Sequence, residues 1–70
     1  MILDYTVLVE GKEVNRIKPS VIDVAIQGEE MTFTLEYKGG QYHTTFLKSD
    51  EKLVSMYLLN SNGKTLRKLK

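Results

Sequence analysis

Cysteine and tryptophan are absent from this chain, proline and histidine occur once each, and neither sign of charge predominates. Without cysteine there is no disulfide, no thiolate metal site and no cysteine nucleophile. The same absence fits a reducing compartment, so a cytoplasmic location is expected. One histidine is too few for an obvious zinc site. No apolar run approaches the ~20 residues that cross a bilayer, so no membrane insertion is expected. Met1-Ile2-Leu3-Asp4 has neither the basic start nor the apolar stretch of a secretory leader. Ten lysines and arginines face nine aspartates and glutamates, a formal charge of +1. That balance excludes a chromatin-like polycation and an acidic tail protein alike.

What is present suits one small domain spanning residues 1–70. Seventy residues with 41% hydrophobic types have ordinary globular composition. A domain of this size buries only about 60% of the surface its unfolded chain exposes. With neither disulfide nor zinc as a staple, the hydrophobic core must hold the fold alone. Twenty-nine apolar residues suffice for that core. They leave little for a deep substrate cavity, which usually needs about 300 Å³ or more. A non-enzymatic role is therefore expected, and self-association is the usual way for such a chain to bury more surface.

Strand formers dominate. Alanine occurs once, while valine, isoleucine, threonine, tyrosine and phenylalanine supply 22 residues. In 31–38, Met31, Phe33, Leu35 and Tyr37 alternate with Thr32, Thr34, Glu36 and Lys38, which places the two sets on opposite faces of a strand. Ile22, Val24 and Ile26 alternate in the same way, as do Tyr5, Val7 and Val9. Between these runs stand turn residues: Gly11-Lys12, Gly28-Glu29, Gly39-Gly40 and the Asn60-Ser61-Asn62-Gly63 cluster. Glycine in the first loop position suits a type II′ hairpin at Gly11-Lys12 and at Gly28-Glu29. Lys18-Pro19-Ser20 reads as a break, because proline cannot donate to a ladder.

The expected strands are 2–10, 13–17, 21–27, 30–38, 41–48, 53–59 and 64–69. Connections this short favour sequential antiparallel neighbours. The expected fold is all-β: a small antiparallel meander of six or seven short strands, curled into a compact barrel or half-barrel of SH3 or OB size. Residues 50–59 carry an alternative. Ser49-Asp50-Glu51 has the form of a helix N-cap with an acidic first turn, and Leu53, Met56 and Tyr57 have helical spacing. The turn cluster after Leu59 favours a strand there.

The hairpin layout of residues 5–60 resembles that of the small DNA-binding chromatin proteins of hyperthermophilic archaea. It does so through Val9-Glu10-Gly11-Lys12-Glu13-Val14, the 28–34 stretch, and Ser49-Asp50-Glu51 before an apolar segment. Those proteins are SH3-like barrels closed by a C-terminal helix. This chain has no tryptophan, is far less basic, and would present Asp23, Glu29 and Glu30 on the sheet that should face DNA. The likeness is one of hairpin geometry, and neither residue roles nor function are carried over from it.

No catalytic, metal or cofactor constellation is present in the sequence. His43 shares a strand face with Gln41, Thr45 and Leu47, with no identifiable nucleophile or orienting carboxylate, so it reads as a solvent-facing strand histidine. Asp4, Glu10, Asp23 and Glu36 lie on separate strands without calcium or zinc spacing. The phosphate-loop pattern GxxxxGK[ST] does not occur, and Gly39-Gly40 joins strand to strand.

Charge is unevenly distributed: residues 1–47 sum to −3 and residues 48–70 to +4. The basic third, with Lys48, Lys52, Lys64, Arg67 and Lys68, reads either as solubilising edge protection or as an electrostatic surface. Tyr37 and Tyr42 flank the glycine pair. They read as core aromatics in phase with Phe33 and Phe46, or as stacking groups on an open sheet face. The function expected is a small non-enzymatic binding module that recognises a protein partner, or a second copy of itself, through a sheet edge or face. The alternative is weak, salt-dependent nucleic-acid binding through the basic third with Tyr37, Tyr42 and His43. The candidate surface is thus Tyr37, Tyr42, His43, Lys48, Lys52, Lys64, Arg67 and Lys68.

Overall fold

A computed structural model describes residues 1–70. The β-branched and aromatic content is expressed as seven strands and no helix: β1 (Ile2–Val9), β2 (Lys12–Lys18), β3 (Val21–Gln27), β4 (Glu30–Tyr37), β5 (Gly40–Leu47), β6 (Leu53–Leu59) and β7 (Thr65–Lys68). They form two antiparallel sheets, one ordered β2-β1-β6-β7 and the other β3-β4-β5. Sequential neighbours pair wherever a tight turn joins them. The chain changes sheet at Pro19-Ser20 and again across residues 48–52. The one pairing between strands distant in sequence is β1 with β6, where Leu3 faces Leu58. No helix of the chain is long and apolar enough to cross a membrane.

The inward faces stack as two layers. Leu3 and Tyr5 on β1, with Leu53, Met56 and Leu58 on β6 and Leu69 beyond β7, meet Val21, Met31, Phe33 and Leu35 from β3 and β4. Half-buried Phe46 bridges the layers: its ring lies 4.9 Å from Tyr5 and 5.8 Å from Phe33, edge-on to both. Such pairs add about 0.5–1.5 kcal/mol each beyond their burial. No polar or charged residue is buried, so the core stands on apolar contact alone.

Of the barrel and half-barrel expected, the closed barrel does not form: the two sheets stay separate. Met1 stitches the sheets at one corner, where its carbonyl accepts the Val21 N–H at 2.9 Å and its amino group donates to the Val21 carbonyl at 2.8 Å. Elsewhere the edges stay apart. Pro19 brings no N–H to a ladder, and Ser20 takes a φ of 65° that turns the chain out of β2. The C-terminal helix of the archaeal proteins has no counterpart, because β6 and β7 occupy that part of the chain.

Two bulges explain why the apolar pattern misleads locally. Thr6 faces Ser55 and Val7 faces Leu53, so Val54 is an extra residue in β6. That insertion lets Leu53 and Met56, three apart, both point inward, and it produces the helical spacing within 50–59. In β3, Val21 faces Leu35 and Asp23 faces Thr34, leaving Ile22 unpaired and exposed. Ile22 therefore does not share the inward face with Val24, and Val21 takes the core position.

The turns also refine the sequence reading. Gln27 faces Glu30 around Gly28-Glu29, with Gly28 alone at positive φ, the expected II′ arrangement. Val9, however, faces Lys12, so that loop is Glu10-Gly11, with φ of 52° and 78°. Two left-handed residues make it type I′, and the Lys38-Gly39 loop is built the same way. A glutamate held left-handed is strained by roughly 1 kcal/mol. Glu10→Asn, which creates the favoured Asn-Gly pair, should raise stability by about 0.5–1 kcal/mol. Urea denaturation checks this, and an unchanged midpoint would contradict the I′ assignment.

Candidate interaction surface

The eight candidate residues do not converge. Tyr37 and Tyr42 occupy positions in phase with Phe33 and Phe46, but they lie outside the buried core. Phe33 is fully covered, whereas Tyr37 stays 62% and Tyr42 46% exposed. With Ile17, Pro19, Leu35 and Glu36 they line a depression of about 260 Å³ where the chain crosses from β2 to β3. That is below the ~300 Å³ at which small-molecule pockets usually begin. The Lys38 ammonium lies 5.4 Å from the centre of the Tyr37 ring, an exposed cation–π contact.

His43 lies on the opposite, outward face of the β3-β4-β5 sheet, as alternation predicts. It faces Thr34, whose hydroxyl is 2.9 Å from His43 Nδ1. Two pairs further along the ladder, on the same face, the hydroxyls of Thr32 and Thr45 are 3.0 Å apart. No three histidine, aspartate or glutamate side chains gather into a metal-binding group.

The basic residues are dispersed. Lys48 and Lys52 lie in the segment between β5 and β6, and Lys64 follows the turn after β6. On β7, Arg67 faces inward-pointing Leu58 while Lys68 faces Tyr57, so the two cations point to opposite sides of the sheet. Their shared property is position: β7 is an edge strand.

The four sheet edges, β2, β7, β3 and β5, differ in a way that residue order alone does not show. An edge presents unpaired N–H and C=O groups to any other strand, and proteins blunt it with charge, proline, bulges or short length. Strand β2 carries Lys12, Glu13, Arg16 and Lys18 and runs into Pro19. Strand β7 is four residues long, carries Arg67 and Lys68 and is irregular at Leu66. Strand β3 has its bulge, its first residue is bonded to Met1, and the Asp23 carboxylate takes the Val24 N–H at 3.0 Å.

Strand β5 has none of these devices. Gly40-Gln41-Tyr42-His43-Thr44-Thr45-Phe46-Leu47 is eight residues long, regular in its ladder with β4, and free of lysine, arginine, aspartate, glutamate and proline. Six of its eight residues are exposed. The two longest uncharged stretches of the chain are 39–47 and 53–63. The second contains β6, which is paired on both sides; the first contains β5, which is paired on one. Comparison with protein-family models, curated proteins and solved structures gives no match.

Proposed function

We propose that the chain is a non-enzymatic interaction module that binds another polypeptide by strand addition along β5. The observation that carries this reading is that β5, alone among the four edges, is long, regular and uncharged. Strand addition draws its affinity from main-chain hydrogen bonds and its selectivity from alternate side chains. Tyr42, Thr44 and Phe46 point to one side of β5, and Gln41, His43, Thr45 and Leu47 to the other. Of the sequence candidates, Tyr42 and His43 belong to this surface, and Tyr37 stands beside it across the β4–β5 turn. On this reading the cations of β2 and β7 keep other strands away, so that pairing is directed to one edge.

A photoreactive benzoylphenylalanine in place of exposed Leu47 tests the proposal inside cells, with the same residue in place of Glu13 on β2 as the control. Adducts are expected from position 47 well above those from position 13. Equal adduct formation at both positions would reject β5 as the binding edge.

A further inference from the structure

Resting on the strand-addition reading, we propose that the strand received by β5 is the β5 of a second copy, paired antiparallel about a two-fold axis through Thr44. Residues directly opposite each other in an antiparallel pair share a face. A symmetric pairing that keeps both inward faces on one side must therefore centre on a residue, not between two. With Thr44 on the axis, Tyr42 stands opposite Phe46 of the second copy, His43 opposite its Thr45, and Gln41 opposite its Leu47. The aromatic pair occurs twice, once on each side of the axis, and aromatic cross-strand pairs are among the stabilising ones. Centring on His43 instead sets the two imidazoles against each other, places Tyr42 opposite Thr44, and leaves Leu47 facing the Lys38-Gly39 turn.

From 42 to 46 the chemical pattern of β5 is symmetric about Thr44: aromatic at 42 and 46, polar at 43 and 45, and no side chain bearing a formal charge to oppose its own image; only the outer pair, Gln41 with Leu47, departs from it. That self-complementarity points to a copy of the same strand, as an isologous contact requires. The pairing joins two three-stranded sheets into one of six strands, a common sheet size.

Sedimentation equilibrium of the purified chain at submillimolar concentration is expected to give twice the 8.0 kDa of the single chain. The double variant His43→Lys/Thr45→Lys sets lysines directly opposite each other in two symmetric pairs, at positions exposed in the single chain. It should weaken the dimer about tenfold while leaving the circular dichroism spectrum unchanged. Because the chain has no cysteine, single thiols report the register. Thr44→Cys lies within disulfide reach of its symmetry mate, since paired Cα atoms are ~4.5–5.5 Å apart. Gln41→Cys, six residues out of register with its own copy, is ~20 Å from it. Rapid oxidative cross-linking is expected for Thr44→Cys and not for Gln41→Cys. A single-chain mass, or equal cross-linking of both variants, overturns the second-copy pairing. If the chain sediments as a monomer while the Leu47 photoprobe still labels other proteins above the Glu13 control, the second copy is wrong and the strand-addition reading stands. If the photoprobe shows no preference, that reading has failed first.

Discussion

Phe33→Ala is expected to remove about 3–5 kcal/mol of stability. Phe33 is fully buried in the middle of β4, with Val24 on one side and Thr44 on the other, and its ring meets Phe46 edge-on at 5.8 Å. Truncation there opens a cavity where the two layers touch and removes the partner of the ring that also meets Tyr5. A domain of 70 residues holds roughly 4–10 kcal/mol in all. The variant should therefore be unfolded or close to it at room temperature, as read by urea denaturation. Tyr37→Ala is the informative contrast, because Tyr37 lies on the same face of the same strand, four residues further on. Its side chain is mostly exposed, and its removal should cost no more than about 0.5 kcal/mol. Equal losses from the two substitutions would mean that the sheets do not stack over Phe33 and stop short of Tyr37.

That contrast also marks where the sequence is legible. Alternation within a strand depends only on the chain itself, so β4 and the face of His43 can be read directly from residue order. Which inward positions are covered depends on how the other sheet is placed over them, and nothing local reports it. Tyr37 and Tyr42 are in phase with Phe33 and Phe46, yet the tyrosines stay exposed. Bulges hide in the same way. An extra residue at Val54 turns a two-residue period into a three-residue interval and imitates a helix, while the extra Ile22 moves the inward position to Val21. Turn type hides as well, since glycine is favoured at the first position of a II′ loop and at the second of a I′ loop. Gly28 is the first kind and Gly11 the second. The β1–β6 pairing has no local signature at all, and it settles which strands become edges. The uncharged stretches 39–47 and 53–63 stand in the sequence for anyone to see. Only the sheet order separates the sheltered one from the exposed one, which is why residue order brings the cations forward and leaves the edge hidden.

The largest effect expected is from removal of a single residue in β4. Deletion of Thr34 leaves Met31 and Phe33 inward but moves Leu35 to the outward face and Glu36 to the inward one. Strand β4 is paired on both sides, so neither β3 nor β5 can absorb the shift without breaking its own register. A buried leucine is lost and a carboxylate is driven toward a core that holds no polar group. Together these should exceed about 4 kcal/mol and unfold the chain. Deletion of Val54 should behave in the opposite way. Val54 is the additional residue of the β6 bulge, so its removal leaves Leu53 two positions before Met56, still on the inward face, and still opposite Val7. The loss is the local bend and one half-exposed side chain, about 1 kcal/mol. Proton–nitrogen correlation spectra of the two deletion variants decide the matter. Dispersed signals are expected without Val54 and collapsed ones without Thr34. The reverse result would place the extra residue, and with it the inward face of β6, elsewhere in the strand.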